Sequence, residues 1–348
     1  MTYFRSNIEA MKGYTPGEQP KVKRLVKLNT NENPFPVSPK AMKALQEFAG
    51  DLRRYPDPVA SGVRKAAATF VGLQEEHIIA GNGSDDILTI VMRAFVGEGD
   101  KVAFPEPSYS LYPVLADIQG GSQVFIPLTE EFQLPENTVE LLKGCKVFFV
   151  PNPNAPTGNL FDKAMLRKIC AEFDGIVLVD EAYADFAAEN CIDLIGEFDN
   201  VIVSRTLSKS FSLAGARLGF AASTTELIDG MMKVKDSYNI NMLTQVVGEA
   251  SLLDLDYMYE CRDKIIATRA KTTEALKALG MNVLDSQSNF LFVEPIVIGA
   301  KEYFDKLREH NIITRYFPAE TTKKYVRITI GTDEEMNEFV EVTKSIIS

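Results

Sequence analysis

Histidine occurs only twice in this chain of 348 residues, at His77 and His310, and cysteine only four times. The histidines lie far apart and lack H-E-x-x-H spacing, so neither a histidine-built metal site nor a Ser-His-Asp nucleophile is expected. Cys145, Cys170, Cys191 and Cys261 form no C-x-x-C pair, as fits small buried hydrophobes in a reducing compartment. No apolar run approaches the ~18–20 residues of a membrane span. The opening residues also lack the charged-then-apolar plan of a secretory signal, so the cytoplasm is the expected compartment. Basic charge is scarce too. Against 48 Asp and Glu stand 37 Lys and Arg, a net charge of −11, which argues against nucleic acid or an anionic membrane as partner. A chain with so few reactive side chains of its own is expected to borrow its chemistry from a cofactor.

What is present is ordinary globular composition, 45% apolar and 24% charged, enough for a sizeable core. At roughly 150 residues per domain the length suggests about two domains. Residues 1–39, rich in Pro, Asn and Lys, read as an extended arm. From there short β-branched and aromatic runs alternate with helical patterns. Strands are expected at His77–Ala80, Lys101–Phe104, Gln123–Pro127, Lys146–Val150, Ile176–Asp180, Val201–Ser204 and Arg217–Ala222. Helices are expected at Asp85–Val96 and Lys163–Phe173 among others. Continuous apolar strands separated by helices mean an α/β fold with a mostly parallel sheet covered on both faces. Beyond about Thr224 long helical stretches, Thr224–Lys235 and Leu243–Leu279, lead into Asn289–Val293, Ile312–Phe317 and Tyr325–Ile330. This reads as a smaller α+β domain, giving a large domain over residues 40–245 and a small one over 246–348.

Four segments fall at carboxyl ends of the expected strands, where open α/β sheets bind ligands. Gly81-Asn82-Gly83-Ser84-Asp85 is a glycine-rich turn entering a helix, whose first N–H groups suit an anion. It lacks the third glycine of a dinucleotide fingerprint. Pro151-Asn152-Pro153-Asn154-Ala155-Pro156-Thr157-Gly158 is a stiff loop presenting amides. Val179-Asp180-Glu181-Ala182-Tyr183 ends an apolar strand on a carboxylate, with a phenol three residues on. Ser204-Arg205-Thr206-Leu207-Ser208-Lys209-Ser210-Phe211 sets a lysine among hydroxyls, with Arg217 at the start of the next strand. A desolvated lysine beside another cation can serve as a Schiff-base amine. Thr206, Ser208 and Arg217 suit a phosphate. Any one segment is also explained by a turn or a helix cap; four in order on one sheet are not.

Together these segments resemble the pyridoxal-phosphate aminotransferases of fold type I, and within them the histidinol-phosphate aminotransferases. The likeness also takes in Gly13-Tyr14-Thr15-Pro16-Gly17, Asn31-Glu32-Asn33-Pro34, Arg54-Tyr55-Pro56, Ser288-Asn289-Phe290-Leu291 and Val326-Arg327-Ile328-Thr329-Ile330-Gly331. The resemblance implies pyridoxal 5′-phosphate as cofactor, bonded to Lys209, which then moves the proton of the reaction. It implies that Asp180 pairs with the protonated pyridine nitrogen, an acidic partner that keeps the ring an electron sink. Tyr183 would bond the ring O3′, and Tyr109 would stack on the ring. Gly83, Ser84 and Asp85, with Thr206, Ser208 and Arg217, would hold the phosphate. Tyr55 would reach that phosphate from a neighbouring subunit, which implies a homodimer. One departure stands out. The family usually carries Asn immediately before Pro-Thr-Gly, bonding O3′, and this chain has Ala155 there. Either Asn154 takes the role through an altered loop, or Tyr183 carries the contact with less help.

For substrate, the resemblance points to Arg327 and Arg315, whose planar forks match a carboxylate or phosphate, with Tyr14 adding a phenol. The activity it implies is transfer of an amino group from glutamate to imidazole-acetol phosphate, giving histidinol phosphate and 2-oxoglutarate. Rivals on the same scaffold are an aromatic aminotransferase and a threonine-phosphate decarboxylase; a more distant one is a non-catalytic cofactor-binding regulator. No metal is expected.

Overall fold

The computed structural model of the chain describes residues 3–19 and 25–348; residues 1–2 and 20–24 of the expected arm lie outside the described residues. Within the arm a short helix, Ser6–Ala10, precedes strand β1 (Val26–Lys27). Asn7 fastens that helix by donating from Nδ2 to the Asp117 carbonyl at 2.6 Å.

Seven strands build the main sheet: β2 (Ile78–Gly81), β3 (Lys101–Glu106), β4 (Ser122–Pro127), β5 (Cys145–Pro151), β6 (Ile176–Asp180), β7 (Val201–Thr206) and β8 (Gly219–Ser223). Their order is β2-β8-β7-β6-β5-β3-β4, and β8 alone runs opposite to the other six. The apolar runs exist because both faces are covered. Along β5, Phe148 and Val150 enter one core while Val147 and Phe149 enter the other; along β6, Val177 and Val179 oppose Leu178 in the same way. Helices Ser61–Val71 and Lys163–Glu172 cover the first face, and Ser84–Phe95 and Leu111–Gln119 the second. This is the α/β class expected from sequence.

The small sheet runs β12-β13-β10-β9, built from β9 (Asn282–Val283), β10 (Phe290–Glu294), β12 (Arg315–Tyr316) and β13 (Val326–Thr329), all antiparallel. The expected single strand Ile312–Phe317 is two. Its first half, β11 (Ile312–Ile313), leaves this sheet to pair in parallel with β1 of the arm. The expected helix Leu243–Leu279 is also two, Met242–Leu252 and Leu255–Ala278. Asp254 separates them, its carboxylate taken by Ser38 Oγ at 2.5 Å and Lys40 Nζ at 2.6 Å. Among the described residues no helix is long and apolar enough to cross a membrane.

Candidate active site

The parallel strands β2, β3, β5, β6 and β7 all end on one edge, and the four singled-out segments therefore converge. There they wall a cavity of ≈ 940 Å³, closed on its far side by residues of the N-terminal stretch, such as Tyr14 and Asn31, and by Arg315, Phe317 and Arg327. Tyr14, Ser84, Asp85, Tyr109, Asp180, Tyr183, Thr206, Ser208, Lys209, Arg217, Arg315 and Arg327 all line it.

Asp180, the last residue of β6, is buried in this wall. Tyr112 Oη donates to its carboxylate at 2.8 Å and Ser204 Oγ at 3.1 Å. Burial pushes its pKa up to about 6 in spite of those two donors. A carboxylate in that state is completed by a cationic N–H.

Lys209 follows β7. Its Nζ donates to the Thr30 carbonyl at 3.1 Å and lies 6.0 Å from the centre of the Tyr183 ring. Loss of hydration, and then the charge of Arg327, lower its pKa to about 8, while Glu32 and Asp85 pull the other way. The loop is held from two sides. Asn33 Nδ2 donates to the carbonyls of Lys209 at 2.9 Å and Ser210 at 3.1 Å. Beneath, Arg205 sits 2.7 Å from both Glu181 and Asp185, and Ser210 Oγ donates to Asp185 at 2.5 Å. That buried ion cluster joins the residue after Asp180 to the residue after Lys209.

At the opposite end Ser84 and Asp85 open helix Ser84–Phe95, where N–H groups have no partner within the helix. Arg217 reaches this point from a left-handed backbone position (φ 54°), ahead of β8 rather than in it, and pairs with Asp85 at 3.2 Å. Gly83, at φ +86°, lets it do so, since a Cβ there would lie 2.6 Å from Arg217 Nη2. The N–H of Gly83 is itself engaged by the Gly81 carbonyl at 2.8 Å, so it is not free to hold an anion. Anion cradle, buried carboxylate and dehydrated amine together fit pyridoxal phosphate.

Across the cavity Arg315 and Arg327 are Cα partners on β12 and β13. Arg327 lies between Phe290 and Phe317, its guanidinium carbon 5.2 and 5.4 Å from the ring centres, and Nη2 donates to the Asn29 carbonyl at 2.9 Å. Its buried Nε has no partner, and among the described residues neither arginine has a carboxylate within 4.0 Å. Burial lowers the Arg327 pKa, the cost of holding an unpaired cation there. Tyr14 packs edge-on to Tyr109 at 5.9 Å, and Tyr109 Oη donates to Asp85 at 3.2 Å.

Three expected site residues do not line the cavity: Asn154, Tyr55 and Gly83, whose N–H is taken by Gly81. Asn154 does not line the cavity, because Nδ2 donates to the Pro107 carbonyl at 3.1 Å and to Thr157 at 2.8 Å; the methyl of Ala155 lines the wall instead. Tyr55 is 77% exposed and stacked on Tyr238 at 4.4 Å, outside its own chain's cavity. Sequence reading passed over Tyr112, Ser204, Asn31, Asn33 and Phe317 as site residues. Asn31 and Asn33 had a signal in the motif Asn31-Glu32-Asn33-Pro34, and Ser204 in opening the segment that carries Lys209; Tyr112 and Phe317 had none.

The family model for aminotransferase class I and II matches residues 23–342. Histidinol-phosphate aminotransferase 1 of Trichormus variabilis is 44% identical over 347 residues, covering 99% of each chain. The histidinol-phosphate aminotransferase of Rippkaea orientalis is 43% identical over 346 residues, again covering 99% of each. Among solved structures, the histidinol-phosphate aminotransferase of Sinorhizobium meliloti in complex with pyridoxal-5′-phosphate superposes with a TM-score of 0.90 at 24% identity, covering 99% of each chain.

Proposed function

The chain belongs to the class I and II aminotransferases, and from that premise we propose that it is a histidinol-phosphate aminotransferase using pyridoxal 5′-phosphate. It moves an amino group from glutamate to imidazole-acetol phosphate, giving 2-oxoglutarate and histidinol phosphate. The cofactor, when bound, supplies an electron sink for ionising the bond next to the substrate nitrogen. The chain's own residues do the rest. Asp180 accepts the N–H of the pyridine ring, and this cation offsets the burial that raises its pKa. Lys209 Nζ, balanced near pH 8, can both take and return a proton. Tyr183 donates its phenol to the ring oxygen, Tyr109 covers the ring, and Ser84, Asp85, Thr206, Ser208 and Arg217 hold the phosphate.

The observation that carries the substrate is the pair Arg315 and Arg327, side by side without a carboxylate partner. Two adjacent guanidinium groups in one cavity ask for an anion of more than one charge. Both substrates must use the same pocket in turn. Histidinol phosphate has no α-carboxylate, so its phosphate takes the arginine site that glutamate fills with a carboxylate. Tyr55, on an exposed face, supports a homodimer in which it completes the partner's phosphate site. With four buried unpaired cysteines, we place the protein in the cytoplasm. Separate half-reactions test the reading. The cofactor's absorbance should shift with glutamate and with histidinol phosphate; a shift with phenylalanine or threonine phosphate but not histidinol phosphate overturns it.

A further inference from the structure

We propose that Asn31 is a positioning residue for Tyr183, fixing the phenol so that its proton points into the cavity. This rests on the cofactor reading above, because the acceptor of that proton is the ring oxygen of pyridoxal phosphate.

The argument starts from hydrogen-bond polarity. Asn31 is 1% exposed and adopts φ 55° on the arm, an uncommon conformation for a residue with a Cβ. Three neighbours hold it there. Its N–H donates to Thr329 Oγ1 at 3.0 Å, and Asn289 Nδ2 donates to its carbonyl at 3.0 Å. Thr329 Oγ1, having accepted that N–H, donates its own proton to Asn31 Oδ1 at 3.1 Å. The amide is thereby oriented, and Nδ2 is left to donate to Tyr183 Oη at 2.8 Å. A phenol oxygen that accepts there keeps its proton for another partner. Thr329 and Asn289, at 2% and 0% exposure, hold their ends of this chain of bonds away from bulk water.

The chain also needs such a device. The wall beside Tyr183 includes Ala155, which has no polar side-chain atom, and the Asn154 amide is turned to Pro107 and Thr157. Tyr183 is left as the donor on this side. The charged and titratable groups facing it are Asp180 on β6, Lys209 after β7, Arg327 on β13, Tyr14 from the arm and Tyr109. Burial raises the Tyr183 pKa, whereas Arg327 and the Asn31 bond act to lower it. A stronger donor draws charge from the ring oxygen and loosens the proton held at the Lys209 nitrogen.

The test is the pH midpoint of the visible absorbance of bound pyridoxal phosphate in the substrate-free full-length protein. Asn31→Ala should raise this midpoint by roughly half to one unit, the scale of one weakened hydrogen bond to a charged group. Asn31→Asp should raise it further, because a carboxylate accepts the phenol's proton and turns it away from the cavity. Thr329→Val, at a residue that does not itself line the cavity, should shift it in the same direction. Cofactor dissociation, followed by dialysis of the same variants, should quicken in each, most in Asn31→Asp. Midpoints of Asn31→Ala and Asn31→Asp within roughly 0.1 unit of the parent, with cofactor bound, overturn the proposal. If Asn31→Ala does not fold, Thr329→Val decides by the same criterion. A parent protein that shows no cofactor absorbance at all overturns the functional reading instead.

Discussion

Arg315 and Arg327 stand opposite one another across the β12–β13 pair, so two cations on consecutive strands enter one cavity together. Like charges placed directly opposite are destabilising in a sheet. We propose that their pairing answers to an anionic substrate that uses both.

Arg327→Ala should therefore impair both half-reactions. Removing a charge-assisted fork from either substrate should cost about 2–4 kcal/mol of transition-state binding, roughly 30- to 1000-fold in kcat/KM. Arg327→Lys should recover only part, since an ammonium has no planar fork. Single-turnover absorbance with each substrate separately measures the two losses. A variant that loses glutamate but keeps histidinol phosphate would mean separate anion sites, and would move the phosphate to Arg315 and Tyr14.

Asp180 should show function opposing stability. Its folded pKa, raised to about 6 from 3.8, means that the folded state holds the proton more tightly than the unfolded chain between those values. Stability of the cofactor-free protein therefore falls as pH rises through that window. Asp180→Asn removes this cost. The cofactor-free variant should be more stable than the parent by roughly 1–3 kcal/mol above about pH 6, with the difference closing below about pH 4. Its transamination should fall roughly 100-fold or more, because the ring nitrogen loses its anionic partner. Urea unfolding across pH 4–8 and steady-state rates are the two measurements.

Lys209 should react as a dehydrated amine. Its pKa near 8 predicts that the rate of cofactor uptake by the cofactor-free protein rises with pH and levels off above about pH 8. An ordinary exposed lysine would still be gaining near pH 10. Because its folded pKa is depressed, the unfolded chain binds more protons between about pH 8 and 10.5, so stability rises with pH across that interval. Lys209→Ala should abolish turnover and also leave the cofactor-free fold more stable than the parent below pH 8. Turnover near the parent rate in that variant would remove Lys209 from its role.

Tyr55→Phe should weaken cofactor retention in trans. In a mixed dimer, one chain carries Tyr55→Phe and the other Lys209→Ala. The chain with the tyrosine substitution then keeps its Lys209 and borrows an intact Tyr55. That single site should hold cofactor as tightly as the parent, read by spectral titration of the purified hybrid. Loss of cofactor from it would show that Tyr55 acts within its own chain.

Much of the fold was legible because it rests on local pattern. A strand covered on both faces must be apolar throughout, and Val147–Val150, Ile176–Val179 and Val201–Val203 carry that requirement openly. The misread elements were those whose partner lies far away in the chain. Ile312–Phe317 divides because the arm offers Ile312 and Ile313 a parallel strand, and the helix after Met242 breaks where Ser38 and Lys40 capture Asp254. Neither partner is visible in a local window.

The same division runs through the site. The sequence by itself determined which groups could do the chemistry: a lysine among hydroxyls, a carboxylate ending an apolar strand and a glycine turn opening a helix; the two arginines it offered only through the family resemblance. Those choices depend on residue type and on position at a strand end, and both are written locally. Tertiary structure alone decided their state and orientation. Burial sets Asp180 near 6 and Lys209 near 8. Strand register brings Arg315 beside Arg327. Packing turns Asn154 away from the cavity, and Thr329 orients the Asn31 amide toward Tyr183. Dehydration, register and hydrogen-bond polarity belong to the assembled surroundings of a group, which no stretch of neighbouring residues contains.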